Sequence, residues 1–131
     1  MIRHVFLDAN ILFSAAYREN AGLTRLWKLK NTRLVSSYYA ITEAERNLSA
    51  SHQLQRLKTL INSLEVITNY NDSLIPSNIK LNAKDRPILA AAISAKASFL
   101  MTGDRDFEHL FGEKIMGVKI VTPSMYFSEQ L

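Results

Sequence analysis

Five acidic residues, Asp8, Glu43, Asp85, Asp104 and Asp106, stand out in this 131-residue chain as groups whose type and spacing could do chemistry. The sequence has five aspartates, and only Asp72 falls outside the set. Each of the five stands where an apolar, strand-like run hands over to a helical pattern, or just inside that helix. In an open parallel α/β sheet such handover points share one edge, where ligand crevices form, so the carboxylates are expected to converge. An oxygen-only set without histidine suits Mg2+ or Mn2+ better than zinc. The chemistry implied is metal-dependent hydrolysis, with a nuclease as the leading reading.

Taken one at a time, the acids have plainer roles. Asp8, Asp85 and Asp104 can cap helices, Glu43 can be a solvated helix residue, and Asp106 can be an acid in a first helical turn. The energies separate the readings for the group. A cap is worth about 1 kcal/mol, whereas two like charges about 4 Å apart repel by roughly 4 kcal/mol at an effective dielectric near 20. If several of these acids meet, capping cannot offset the repulsion, and a cation or a shared proton must.

The elements that would position them follow from periodicity. Residues 2–7 read as a buried first strand and residues 9–17 as a helix. Leu23, Leu26, Trp27 and Lys30 have helical spacing and predict a second helix over 21–30. Short strands are expected at 33–36 and 64–68, with helices at 38–50 and 52–63 between them. Residues 69–82 are polar and asparagine-rich, and form the stretch expected to be most mobile. Pro87 opens the clearest helix, running to Lys96. A fourth strand over 98–102, a short helix over 104–110 and a fifth strand over 118–122, ended by Pro123, complete the pattern. Strands alternating with helices at these lengths predict a five-stranded, mostly parallel sheet covered on both faces.

Bulk properties narrow the classes. The length suits a single domain spanning 1–131, with one buried core. No apolar run approaches the roughly 20 residues of a membrane span, the short start does not read as a secretory signal, and a cytoplasmic location is expected. The absence of cysteine excludes disulfides, zinc–thiolate sites and thiol catalysis. The formal charge is +4, from 16 bases against 12 acids; setting the five clustered acids aside leaves 16 bases against seven. Once cations fill the acidic site, such a surround favours a phosphate chain as partner. His4, His52 and His109 show no paired metal spacing, and there is no P-loop, nucleophile elbow or dinucleotide glycine pattern.

Four blocks in order resemble a known family. They are Val5-Phe6-Leu7-Asp8-Ala9-Asn10-Ile11-Leu12, Thr42-Glu43-Ala44-Glu45-Arg46-Asn47-Leu48, Lys84-Asp85-Arg86-Pro87-Ile88-Leu89-Ala90 and Phe99-Leu100-Met101-Thr102-Gly103-Asp104-Arg105-Asp106-Phe107. Together they are similar to the PIN-domain family, and Ile120-Val121-Thr122-Pro123 is similar to that family's last strand. The resemblance implies a three-layer α/β/α sandwich and a Mg2+- or Mn2+-dependent ribonuclease. By position, Asp8, Glu43, Asp85 and Asp104 match the family's acidic quartet, and Asp106 matches a further, less regular acid. Asn10 and Thr102 match polar positions that orient the first and fourth acids. Glu45 is a rival for the place of Glu43, which fits the helix pattern better.

On this basis Asp8 and Asp104 are expected to hold a metal, with Glu43 and Asp85 completing its shell and Asp106 binding a second ion or an outer-shell water. Arg86 and Arg105 are candidates for holding phosphates. Many small PIN proteins are toxins held by a cognate antitoxin, often as dimers, so an antitoxin partner and a homodimer are further expectations. Leu23, Leu26, Trp27 and Leu29 are candidates for such a docking surface. The alternative function is a partner-bound or RNA-binding module without appreciable catalysis of its own.

Overall fold

The computed structural model describes residues 1–129. Its frame is a six-stranded sheet formed by β1 (Arg3–Leu7), β2 (Thr32–Ser37), β3 (Glu65–Ile67), β4 (Phe99–Met101), β5 (Lys114–Ile115) and β6 (Val118–Val121). The spatial order is β3-β2-β1-β4-β6-β5, with every pairing parallel except the antiparallel β5–β6 hairpin. The expectation of five strands is therefore corrected to six. The missed strand is only two residues long, and a two-residue turn at Met116 and Gly117, both at positive φ (50° and 87°), folds it back on β6. Positive φ at both positions is the geometry a tight hairpin requires.

Around the sheet lie α1 (Ala9–Tyr17), α2 (Tyr38–Asn47), α3 (Ser51–Ile61), α4 (Arg86–Ser94) and α5 (Pro123–Glu129). Residues of β1 alternate between the faces. Val5 and Leu7 pack with Leu12, Leu57 and Tyr126 from α1, α3 and α5, whereas Phe6 packs with Leu89 and Ile93 of α4. Helices thus cover both faces of the sheet, giving the three-layer arrangement. Each fully buried Leu, Ile or Phe contributes about 1.5–3 kcal/mol on leaving water. In α4, Pro87 through Ile93 are all buried, which explains its unbroken apolar run. Among the described residues, no helix is long and apolar enough to cross a membrane.

Two other local expectations change. The predicted helix over 21–30 is a 3-10 helix, Gly22–Lys28. Its geometry follows packing: Leu26 is buried and the Trp27 indole N–H donates to the Leu60 carbonyl at 3.0 Å. These tertiary anchors override a weak local preference in a segment that starts with glycine. Pro123 ends β6 as expected but also opens α5, a place where proline's fixed φ and missing N–H cost nothing.

The chain turns from one side of the sheet to the other between β1 and β4. Leu7 pairs with Met101, and the Asp8 N–H donates to the Met101 carbonyl at 3.1 Å. The carboxyl ends of these two strands diverge into Asp8 and Thr102–Asp104, at the position where open α/β sheets form their crevices.

Candidate metal centre

A cleft of about 350 Å³ opens at that edge, lined by Asp8, Asn10, Phe13, Glu43, Asn47, Asp85, Ile88 and Asp104 among others. Asp8 caps α1, its Oδ1 accepting from the Ala9 N–H at 2.6 Å. The Thr102 hydroxyl, fully buried, donates to Asp8 Oδ2 at 2.8 Å. Thr102 Oγ1 in turn accepts from Asn10 Nδ2 at 3.3 Å and from the Asp104 N–H at 3.1 Å. Asn10 Oδ1 accepts from the Gly103 N–H at 3.1 Å, which ties the start of α1 to the loop after β4. Asn10 and Thr102 thereby fix both acids through one continuous set of bonds.

Asp104 caps the 3-10 helix Arg105–Leu110, accepting from the Asp106 N–H at 2.9 Å. Phe107 and Leu110 bury the other side of this short helix and hold it against the core. Asp85 stands at the N-cap of α4 but its side chain makes no capping bond. It is 5% exposed, and its Oδ2 is buried without a hydrogen-bond partner. Carboxylate oxygens of Asp85, Asp104 and Asp106 lie within 4.8 Å of one another. Asp8 and Glu43 share the cleft with Asp85 and Asp104 but stand outside that tight trio. Glu45 is exposed and does not line the cleft.

The electrostatics register this crowding. Burial pushes the Asp8 carboxyl up to about 6, against the pull of the Thr102 and Ala9 hydrogen bonds and with a further push from the charges of Asp104 and Glu43. Asp85 is also pushed up to about 6, by desolvation and then by Asp104 and Asp106. Asp106 moves the other way: despite desolvation, its bonds to Lys84, Asp85 and Asn82 hold it below the usual carboxylate range. A buried oxygen without a donor, two acids resisting ionisation and an all-oxygen donor set fit a hard divalent cation.

The two arginines singled out from sequence take different positions. Arg86 forms a bidentate bridge to Asp72, with contacts of 3.0 and 3.2 Å from Nε and 3.0 Å from Nη2. Arg105 is exposed, one residue beyond Asp104. The cation that does reach the trio is Lys84, whose Nζ lies 3.4 Å from Asp106 Oδ2. Sequence reasoning passed over Lys84, although its place immediately before Asp85 was a signal. It also passed over Asn47, one helical turn beyond Glu43 on the same face of α2. The stretch expected to be mobile, 69–82, carries a 3-10 turn at Asp72–Leu74. It is tied to its surroundings by the Arg86–Asp72 bridge and by a 2.7 Å contact between His109 Nε2 and the Lys80 carbonyl.

Comparison with known proteins bears on the fold. A family model described as PIN domain matches residues 4–106. No curated protein matches the chain. Among solved structures, the fold is similar to VapBC2 from Rickettsia felis, bound in that crystal to a DNA fragment from its promoter. The TM-score is 0.67 at 16% identity, over 91% of this chain and 98% of that one. It is also similar to VapC20 of Mycobacterium tuberculosis, described as a toxin cleaving the sarcin–ricin loop. There the TM-score is 0.57 at 15% identity, over 80% of this chain and 93% of that one.

Proposed function

The chain belongs to the PIN-domain family, and from that premise we propose that residues 1–131 form a single nuclease domain that hydrolyses RNA phosphodiester bonds with Mg2+ or Mn2+. The observation that carries this reading is the Asp85, Asp104 and Asp106 trio beside Asp8, with a buried Asp85 oxygen left for a cation. Asp85, Asp104 and Asp106 would hold the ion, with Asp8 and Glu43 completing the shell or serving a second ion. A divalent cation there supplies positive charge that lowers the pKa of water and offsets charge developing on phosphate. Asn10 and Thr102 keep Asp8 and the Asp104 loop in place, so that the acids need not reorganise when substrate arrives. Arg105, and Arg86 when released from Asp72, would meet phosphates flanking the cut bond.

A second role coexists with this one. The fold likeness to VapBC2 and VapC20 supports a toxin partnered by an antitoxin; that it acts as a homodimer in the cytoplasm is a further part of the proposal. A second cleft of about 760 Å³, which shares Phe13 with the carboxylate cleft and has Tyr17, Leu23 and Phe127 in its wall, favours an apolar partner segment. Leu23 of the docking candidates lines it, whereas Leu26 is buried in the core.

The test is cleavage of a mixed structured and single-stranded RNA pool by purified protein with Mn2+ or Mg2+, with EDTA, and with Asp8→Asn and Asp104→Asn. The expected result is metal-dependent cutting that both variants lose while remaining folded. A variant that cuts at the wild-type rate removes that residue from the site, and absence of Mn2+ binding overturns the metal assignment.

A further inference from the structure

Beside the carboxylate cleft, along the same edge of the sheet, lies a second groove of about 330 Å³ over the ends of β2 and β3. Tyr38, Tyr39 and Arg46 of α2 line it together with Thr68, Asn69 and Tyr70 of the loop after β3. Glu43 stands in the wall of both openings, which makes the two neighbours. Tyr38 is 65% exposed and Tyr70 44%, two large rings left facing solvent. Tyr39 is fixed, its hydroxyl donating to the Lys84 carbonyl at 2.8 Å, which ties the groove's wall to the turn that carries Asp85. Arg46, exposed one turn beyond Glu43, brings a cation to the same opening.

We propose that this tyrosine groove is a base-stacking subsite for single-stranded RNA whose phosphate backbone passes through the carboxylate cleft. The inference rests on the nuclease reading for the passage of the strand, and on the groove itself for what the strand presents. Exposed aromatic faces beside an arginine are the elements with which proteins hold unpaired bases, and every base has a face to stack. A base inside a duplex is stacked on both faces, so the groove selects an unpaired, unstacked nucleotide next to the reacting phosphate. The volume lies at the small end of ligand pockets, suited to one base with its sugar.

The experiment compares wild type with Tyr38→Ala, Tyr70→Ala, Tyr38→Phe and Arg46→Ala. Binding of a fluorescent single-stranded RNA, the same strand in duplex and a matching abasic strand is followed with Ca2+ in place of the catalytic metal, and cleavage with Mn2+ is followed separately. Base–aromatic stacking is worth about 1–3 kcal/mol per base, or roughly 5- to 150-fold in affinity. Each tyrosine-to-alanine change is expected to weaken single-strand binding within that range, with KM rising more than kcat falls. Tyr38→Phe should keep binding within about twofold, and the abasic strand should bind all the proteins alike. Folded alanine variants that bind the single strand as wild type does would overturn the subsite, as would equal affinity of wild type for duplex. Alanine variants that change only the oligomeric state would reassign the groove to a second copy of the chain. Tyrosine-dependent binding without any metal-dependent cutting would sustain the groove and overturn the nuclease reading.

Discussion

Asp85→Asn should make the metal-free protein more stable, although it removes a group central to the proposed activity. In the wild type, Asp85 resists ionisation because it is desolvated and faces Asp104 and Asp106. Its folded pKa of about 6 exceeds the reference value of 3.8. For an acid raised on folding, the native state binds more protons than the unfolded one at intermediate pH. Stability therefore falls as pH rises from about 4 to above 6, and the loss is complete beyond the folded pKa. Fully counted, the shift is worth about 3 kcal/mol at 1.36 kcal/mol per pH unit. The trio opens to solvent, which screens the repulsion, so about 1–2 kcal/mol is expected. For a domain of this size that is about 4–7 °C in Tm. An asparagine amide placed where the unpaired Oδ2 now lies would also donate to neighbouring acids. Urea denaturation in EDTA from pH 4 to 8 tests this: the two proteins should match near pH 4 and separate above pH 6, with the variant ahead. Added Mn2+ should reverse the order, because the cation stabilises the protein that binds it better. A variant no more stable than wild type at pH 8 in EDTA would refute the claim that these carboxylates crowd one another.

Three further outcomes follow from the same structure. Thr102→Val keeps the shape but removes the donor to Asp8 and the acceptor for Asp104 N–H and Asn10; a loss of about 1.5–3 kcal/mol at pH 7 is expected by denaturation, with a roughly 10- to 100-fold loss of Mn2+ affinity by titration. Phe107→Ala, at a fully buried ring under the helix bearing Asp106, should cost about 3–5 kcal/mol, and calorimetry should show Mn2+ affinity falling with it. Arg86→Ala breaks an ion pair whose partners are 31% and 53% exposed, so a change in stability below about 1 kcal/mol is expected from chemical denaturation.

The convergence of the acids was legible because strand-to-helix handovers are written locally, in apolar runs that end at Asp8, Ser37 and Thr102. The α1 boundaries matched residue by residue, since a β-branched run, an acid and an apolar helix leave little choice. What the sequence hid was decided by tertiary contact or by very short segments. β5 has too few residues to show alternation, and only the Met116-Gly117 turn announced it. The segment 22–28 took 3-10 geometry because Trp27 and Leu26 are pinned from outside. Which acids approach most closely was also hidden. Spacing identified the edge they share, but not that Asp85, Asp104 and Asp106 form the tight trio while Asp8 turns its oxygens to Thr102 and Ala9.

The bond from Thr102 to Asp8 joins residues 94 positions apart, across the central pair of strands. Contacts of such long sequence separation form late, because the loop must close before they repay its entropy. During synthesis Asp8 emerges first and waits, with neither Thr102 nor Asp104 beside it, until β4 docks along β1 and β6 along β4. The nascent chain thus carries these acids dispersed until the sheet assembles. The carboxylate cleft therefore closes only once β4 has been made and has docked beside β1.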